Sequence, residues 1–156
     1  MREDGQLANK KGMLPPTYLL ISIVAIVVLR FWFPGRRIIA FPWTLLGLVP
    51  VIAGSVLNVM ADGAFKRHQT TVKPFEKSTA LVTSGVYSIS RHPMYLGFTL
   101  ILLGLAIFMG ALTSFVVVPL FAVLMELVFI RTEEPMMAAR FGQSWLDYKQ
   151  RVRRWI

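Results

Sequence analysis

The sequence contains no cysteine, few histidines and few charged residues. Of its 156 residues, two are histidines, eight are acidic and 16% are charged. The absence of cysteine excludes disulfide bonds, thiolate catalysis and cysteine-ligated metals. Two histidines are too few for a histidine-rich metal site, so we predict no metal. A water-soluble domain has roughly a quarter of its residues charged, so this composition argues against an ordinary soluble protein.

Long apolar runs take up much of the remaining sequence. Hydrophobic residues make up 55% of the chain, and its mean hydropathy is +0.59. The runs lie at about residues 14–33, 39–61, 93–109 and 115–130, and a helix of about 20 apolar residues crosses the hydrocarbon core of a bilayer. We therefore predict an all-α integral membrane bundle of about four transmembrane helices. It is expected to form one domain over residues 1–156, with the lipid bilayer as its partner.

Glycines and a proline in the apolar runs predict how the helices pack and where one of them bends. Gly47 and Gly54 lie seven residues apart in the second run, and Gly97 and Gly104 repeat that spacing in the third. Small residues on one face of a membrane helix favour close contact with a neighbouring helix. Pro50 is expected to kink the second helix because it lacks a backbone N–H. The third run is short, so we expect the hairpin of the third and fourth helices to cross only marginally.

Basic residues outnumber acidic residues, which gives a net charge of +9, and they flank the apolar runs. If the N-terminus lies inside, every lysine and arginine except Arg30, Arg36 and Arg37 lies on the inner side. This asymmetry predicts a multi-pass protein with both termini in the cytoplasm, in the inner membrane if the source is bacterial. Short basic flanks meet anionic lipid headgroups, so we predict no nucleic-acid partner.

Two polar segments lie on that inner side. The cytoplasmic loop 62–92 contains scattered apolar residues, which predicts an ordered loop. The tail 131–156 is amphipathic and basic, which predicts a helical tail at the membrane interface. Pro135 is expected to begin a helix there, and Gly142 is expected to end it. A tail helix that only lies on the lipid headgroups is the alternative to a functional role, and it is favoured by Trp145 and Trp155 together with Arg151, Arg153 and Arg154.

The first candidate for chemistry is the run Arg91-His92-Pro93-Met94-Tyr95. A helix that begins at a proline presents unpaired N–H groups and the positive end of its dipole to the preceding residues. Arg91 and His92 lie at that end, which favours binding of a carboxylate or another anion. The alternative is that both are interfacial residues whose charged ends reach the headgroups.

The second candidates are three glutamates. Glu133 and Glu134 are adjacent, so at most one is expected to face a site. Glu126 lies inside the fourth apolar run, where a carboxylate is costly and usually faces protein. The alternative for Glu126 is a structural ion pair or hydrogen bond to another helix, for example with Arg30 or Asn58.

Several of these residues occur in an order that resembles a known family. The segments are Leu81-Val82-Thr83-Ser84-Gly85-Val86-Tyr87, Arg91-His92-Pro93-Met94-Tyr95, Glu133-Glu134, Phe141-Gly142 and Tyr148. Together they resemble the isoprenylcysteine carboxyl methyltransferase family and its prokaryotic relatives, which are also similar to phospholipid N-methyltransferases. The resemblance covers roughly residues 62–154. It implies an S-adenosylmethionine-dependent membrane methyltransferase without a Rossmann domain, whose cofactor lies at the cytoplasmic membrane surface.

The resemblance also implies roles for individual residues and a class of substrate. The acceptor would be lipophilic or amphipathic and present a carboxylate, an amine or a thiol. The chemistry of the residues, rather than the resemblance, predicts Arg91, Glu134 and Glu126 as the catalytic residues; a protonated amine acceptor would need a base, and Glu126, Glu134 or His92 could serve. The implied cofactor contacts are Thr79, Ala80, Leu81, Val82, Tyr87, His92, Pro93, Met94, Tyr95 and Glu133.

One position departs from the family, and two other functions remain open. Eukaryotic members carry an arginine, assigned to the substrate, shortly before the acidic pair. The aligned position here is Phe129, and Arg131 is offset by two residues, so a prenylcysteine acceptor is not implied. The alternatives to a methyltransferase are a membrane-embedded NADPH-dependent reductase and a non-catalytic membrane binding protein on the same scaffold.

Overall fold

The computed structural model describes residues 13–67 and 80–156, and Thr79 lies outside this part of the chain. Over the described residues the fold is helical, and its single β-contact is an isolated bridge between Arg37 and Ala111. The all-α prediction is therefore confirmed. In chain order the elements are α1 (Pro15–Trp32), a 3₁₀ turn (Trp43–Gly47), α2 (Leu48–Arg67), a second 3₁₀ turn (Gly85–Ser88), α3 (Pro93–Met109), α4 (Leu112–Met125), a π segment (Glu126–Ile130) and α5 (Arg131–Arg151).

Length and hydropathy make this a multi-pass membrane protein. Within the described residues, three helical stretches are long and apolar enough to cross a bilayer: Pro15–Trp32, Trp43–Arg67 and Leu112–Arg151. The apolar helix α3 is shorter, at 17 residues. Many large apolar side chains on these helices are exposed, among them Val24, Val59 and Leu120. An exposed apolar surface of this kind is suited to contact with lipid.

The second helix is longer than predicted. It continues to Arg67, past the expected end near residue 61. Its last turns carry an ion pair of 2.6 Å between Lys66 Nζ and Asp62 Oδ2, four residues apart. Lys66 and Arg67 also lie in the last turn, where cations interact favourably with the helix dipole. Pro50 lies next to the change from 3₁₀ to α geometry, where its missing N–H is tolerated.

The fourth apolar run and the tail form one helical stretch. The sequence predicts a break at residue 130, but helical structure continues from Leu112 to Arg151 through the π segment. Pro135 therefore lies inside α5 and does not begin a new helix. A local π adjustment is one way in which a membrane helix accommodates a proline. The predicted break at Gly142 is confirmed, because φ of 51° and ψ of −124° produce a kink there.

Glycines bring α2 and the preceding 3₁₀ turn into close contact with α3. A Cβ atom built on Gly47 would clash with the Gly104 carbonyl oxygen, and one on Gly54 would clash with the Gly97 carbonyl oxygen. The two glycine pairs therefore face each other across antiparallel helices. The predicted close packing at these four glycines is confirmed.

The loop after α1 and the α3–α4 turn lie at one end of the bundle, and the candidate site lies at the other end. The loop after α1 meets the α3–α4 turn through hydrogen bonds of 2.9 Å from Ile38 N to Gly110 O and 3.0 Å from Leu112 N to Arg36 O. Arg30 Nε donates to Met109 O at the same end, at 3.1 Å. Residues 80–92 and α5 consequently lie together at the opposite end.

The tail packs against the rest of the protein through its aromatic side chains. Trp145 is only 3% exposed and packs with Tyr148 and Val152, against which Leu81 and Phe141 also lie. The alternative of a tail that only lies on the headgroups is wrong for Trp145, because α5 folds back over the loop before α3 and buries this side chain. The tail is therefore part of the packed structure at this end.

Candidate active site

The loop before α3 is held by a turn and by aromatic contacts. Gly85 begins the 3₁₀ turn with a φ of 63°, a conformation that glycine adopts readily. Tyr148 Oη donates a hydrogen bond of 2.6 Å to the Tyr87 carbonyl oxygen, and the Tyr87 ring meets Phe65 edge-on at 5.2 Å. Burial raises the pKa of the Tyr87 phenol well above its ordinary value. Tyr87 therefore presents a neutral ring to its surroundings.

Arg91 is buried and fully engaged through its terminal nitrogens. Its Nη1 donates to the carbonyl oxygens of Lys149 at 3.0 Å and Val152 at 2.9 Å, and its Nη2 donates to Glu134 Oε1 at 2.7 Å. The guanidinium also lies 5.9 Å from the Trp145 ring. The alternative of an interfacial arginine is therefore wrong. These contacts use both N–H groups of Nη1 and one of Nη2, whereas the buried Nε has no hydrogen-bond partner.

Arg154 joins the two glutamates predicted to be catalytic. Its Nε donates to Glu134 Oε1 at 3.0 Å and its Nη2 to Glu134 Oε2 at 2.6 Å. Its Nη1 donates to Glu126 Oε1. Hydrogen bonding to Glu134 raises the pKa of the Arg154 guanidinium, so the side chain stays charged.

Glu126 is in an ion pair, but with neither of the two example partners, Arg30 and Asn58. Arg30 is engaged at the opposite end of the bundle, and Asn58 Nδ2 donates within its own helix to Gly54 O at 2.9 Å. Arg154 reaches Glu126 because the C-terminal segment returns to the end of α4. Arg131 Nε lies farther from the same carboxylate, at 3.9 Å.

His92 lies between two carboxylates. Its Nδ1 is 3.6 Å from Glu133 Oε2, and its Nε2 is 3.6 Å from Glu134 Oε1. These separations are longer than a hydrogen bond, and the buried Nε2 has no hydrogen-bond partner. The expectation that at most one of the adjacent glutamates faces the site is wrong. Consecutive helical side chains diverge by about 100°, and here the two long side chains straddle one imidazole ring.

Aromatic rings extend from this cluster into the bundle. Tyr95 Oη donates a hydrogen bond of 2.7 Å to Glu133 Oε1, and its ring stacks with His92 at 5.7 Å. Phe129 lies 5.9 Å from the Tyr95 ring and 5.6 Å from the Tyr18 ring. Phe129 is 1% exposed, so the position at which the family resemblance predicts an arginine holds a buried aromatic side chain.

The remaining predicted cofactor residues surround this cluster or lie outside the described chain. Val82 is buried with Val86 and Tyr87, and Met94 packs against them. Leu81 packs against the Trp145 cluster. Pro93 is buried at the first position of α3, and Ala80 is half-buried. Thr79 falls outside the described residues, so its predicted role stays a prediction.

Three residues of the C-terminal and loop segments are important here and were missed from the sequence. The first is Arg154, and the second is Ser90, whose Oγ donates to Arg154 O at 3.1 Å and accepts a hydrogen bond of 3.1 Å from His92 N. The Lys149 carbonyl accepts from Arg91. Nothing in the sequence distinguishes Arg154 from its basic neighbours, and a backbone carbonyl carries no sequence signal at all.

An apolar cavity lies at the other end of the bundle. Its volume is about 390 Å³, and it is lined by Ile38, Ile39, Ala40, Trp43, Leu46 and Ile107. None of these lining residues is titratable. It therefore offers no acid, base or anion-binding group, and we assign the candidate site to the polar cluster around His92.

Fold and site together define a class of protein: a multi-pass helical membrane protein with a polar site where its transmembrane helices end. The described residues contain no group of three or more histidine and acidic side chains suited to a metal. The sequence profile of the phospholipid methyltransferase family matches residues 42–144. The chain therefore belongs to this family of membrane methyltransferases.

Individual relatives and a solved structure agree with this assignment. Protein-S-isoprenylcysteine O-methyltransferase B of Arabidopsis thaliana is 30% identical over 142 residues, which cover 86% of this chain and 68% of that protein. The protein-S-isoprenylcysteine O-methyltransferase of Saccharomyces cerevisiae is 31% identical over 142 residues, covering 84% and 58%. The structure of a eukaryotic intramembrane Ras methyltransferase, isoprenylcysteine carboxyl methyltransferase, superposes with a TM-score of 0.67 and 29% identity. The match covers 90% of this chain and 51% of that one. The resemblance drawn from the motifs is confirmed.

Proposed function

We propose that the protein transfers a methyl group from S-adenosylmethionine to a lipophilic or amphipathic acceptor at the membrane surface. The observation that carries the proposal is the convergence of His92, Tyr95 and Glu133. The hydrogen bond of 2.7 Å from Tyr95 Oη to Glu133 Oε1 joins residues 38 positions apart in the sequence. It brings the two most specific motifs together at one end of the bundle.

The side chains present fit such a cofactor. The buried Nε2 of His92 has no hydrogen-bond partner, so it can serve a polar group of a ligand. Glu133 Oε1 accepts from Tyr95, and its carboxylate suits ribose hydroxyls. The N-terminus of α3 at Pro93 favours the carboxylate of the methionine part. Bound S-adenosylmethionine supplies an electrophilic methyl group on a sulfonium, which reacts by in-line displacement once the acceptor is aligned.

We assign Arg91 a positioning role, in place of direct contact with the cofactor. Its guanidinium holds Glu134 and two carbonyl oxygens of the C-terminal region, those of Lys149 and Val152. These contacts attach the loop that carries Arg91 and His92 to α5 and the residues that follow it. The hydrogen bond of 3.0 Å from Arg91 N to Arg153 O strengthens the same connection.

An acceptor that carries a proton on its nucleophilic atom needs a base, and His92 is the best-placed one. Both oxygens of Glu134 accept from guanidinium groups, and Glu126 Oε1 accepts from Arg154. The Nε2 of His92 and the Oε2 of Glu126 both lack a hydrogen-bond partner, and His92 is the one that lies beside Glu133. A thiolate or a carboxylate acceptor would need no base, whereas an ammonium group would lose its proton to His92 in this scheme.

The surroundings of the site favour an apolar acceptor. The rings of Tyr95, Phe129 and Tyr18 form a continuous aromatic row that leads away from the polar cluster. The relatives are named for O-methylation of isoprenylcysteine, and an isoprenyl group is apolar. The basic residues concentrated at this end support a cytoplasmic orientation of the site and of both termini.

The test is calorimetric titration of the detergent-purified protein with S-adenosylmethionine and, separately, with NADPH. Glu133→Ala is the variant, and Asp147→Ala is the matched control. Asp147 is an exposed acidic residue of the same helix whose carboxylate bonds to Gln143 Nε2 at 2.8 Å. We expect saturable binding of S-adenosylmethionine to the wild type and to Asp147→Ala, and loss of at least about 10-fold in affinity in Glu133→Ala, as expected for a hydrogen bond to a charged group.

Two results would count against the proposal. Folded wild-type protein that binds NADPH and not S-adenosylmethionine would favour the reductase. S-adenosylmethionine binding that is equal in both variants would remove Glu133 from the cofactor site. Where binding is as expected, transfer of an isotope-labelled methyl group to prenylated thiols, fatty carboxylates and lipid amines identifies the acceptor class, and binding without transfer to any of them would favour a binding protein.

A further inference from the structure

We propose that Arg154 is a positioning residue that holds the Glu133–Glu134 pair against His92. The inference deepens the proposed function and rests on it for its effect on cofactor binding. Its effect on the position of the glutamates can be measured without any ligand.

The contacts of Arg154 reach both sides of the π segment. Glu126 is the first residue of that segment, and Glu134 lies in the first turn of the helix that follows it. The Arg154 guanidinium donates to both carboxylates at once, through Nη1 to Glu126 and through Nε and Nη2 to Glu134. One side chain therefore spans the irregular part of the helix.

The π segment determines which way the carboxylates point. A π turn accommodates one more residue than an α turn, so restoring α geometry would rotate Glu133 by roughly 100° about the helix axis. Glu133 would then leave Tyr95 Oη, to which it is now bonded at 2.7 Å. A contact that ties the start of the π segment to Glu134 opposes this rotation.

Arg154 is itself fixed by the loop before α3. Its carbonyl oxygen accepts a hydrogen bond of 3.1 Å from Ser90 Oγ, and the neighbouring Arg153 carbonyl accepts from Arg91 N at 3.0 Å. Trp155 packs against the main apolar core. The Arg154 backbone is therefore attached to the loop that carries His92, so the guanidinium can hold Glu134 and Glu126 in a set position relative to His92.

Arg153 offers a matched control in the adjacent position. It is also an arginine, but its side chain is exposed, whereas that of Arg154 is 35% exposed and paired with two glutamates. We compare Arg154→Gln, Arg154→Lys and Arg153→Gln. Lysine keeps the charge of Arg154 but lacks the planar fork that binds two carboxylates together.

The ligand-free measurement is NMR of the histidine side chains in detergent. The chain has two histidines, so labelled imidazole gives a simple spectrum, and His68→Gln assigns the signals. We expect the His92 resonances to move in Arg154→Gln, to move less in Arg154→Lys and to stay unchanged in Arg153→Gln. Unchanged His92 resonances in Arg154→Gln would overturn the proposal, whatever happens to stability or binding.

The second measurement is the affinity for S-adenosylmethionine, with the melting temperature recorded for each variant. We expect Arg154→Gln to bind at least about 10-fold more weakly, with partial recovery in Arg154→Lys and none of the loss in Arg153→Gln. A melting temperature lowered in Arg154→Gln with affinity unchanged would mean a merely structural role and would overturn the proposal. If the wild type does not bind the cofactor while His92 still responds to Arg154→Gln, the methyltransferase proposal fails and the positioning role of Arg154 stands.

Discussion

Replacement of Arg91 with alanine removes the side chain that ties the loop before α3 to the C-terminal region. Three hydrogen bonds disappear with it, to Lys149 O, Val152 O and Glu134 Oε1. Arg91 is only 9% exposed, so water cannot easily replace them. The change removes the Arg91 donors of two carbonyl oxygens and one of the two donors of Glu134 Oε1 in a buried site.

The size of the effect follows from these contacts. Breaking one partner of a buried ion pair costs about 3–5 kcal/mol of stability. The lower end applies here, because Arg154 still donates to both oxygens of Glu134. A loss of about 3 kcal/mol corresponds to a fall in melting temperature of roughly 6–12 °C for a chain of about 150 residues. The melting temperature of Arg91→Lys should lie between those of Arg91→Ala and the wild type, because lysine can replace only part of the hydrogen bonding.

Thermal unfolding of the detergent-solubilised protein tests this estimate. Arg153→Ala is the control, because the exposed side chain of Arg153 is expected to contribute no more than about 0.5 kcal/mol. If Arg91→Ala melts within 2 °C or so of Arg153→Ala, the buried network contributes little and the reasoning is refuted. If Arg91→Ala does not fold, the melting temperature of Arg91→Lys still tests the prediction, because it should lie below that of the wild type.

Two further substitutions test the packing that supports the site. In Gly104→Ala the new methyl group meets the Val51 backbone nitrogen at 2.8 Å, so α2 and α3 must separate, at a cost of about 1–3 kcal/mol. Gly63→Ala is the control, since its Cβ meets its nearest neighbour at 3.9 Å; equal melting temperatures would argue against close α2–α3 packing. Tyr148→Phe leaves the buried Tyr87 carbonyl without its donor and should cost about 1–3 kcal/mol, measured by the same unfolding assay; an unchanged melting temperature would mean that the carbonyl finds another donor.

Much of the membrane architecture could be predicted from local sequence. The apolar runs were identified from length and hydropathy, because the bilayer thickness sets how many apolar residues a spanning helix needs. The equal spacing of the glycine pairs predicted close helix contact, which the facing Gly47–Gly104 and Gly54–Gly97 pairs confirm. The His92 and Glu133 motifs pointed to the family. Each of these signals lies within a short stretch of chain, so it can be read without knowing the fold.

The partners in the site were decided by tertiary structure. The alternative for Glu126 was a contact with another helix, for example at Arg30 or Asn58, but it binds Arg154, and the choice among several basic residues of the tail depends on how α5 folds back. The same return of the chain buries Trp145 and places Arg91 among backbone carbonyls.

The direction in which the Glu133 and Glu134 side chains point could not be predicted from the sequence either. Hydropathy does not distinguish a π turn from an α turn, because both fill the same apolar run. One additional residue in a turn nevertheless rotates everything that follows it. In this protein the sequence by itself determined that a helical bundle of this family lies in a membrane. The long-range ion pairs and one irregular turn, which only the folded chain defines, decided which carboxylates meet His92.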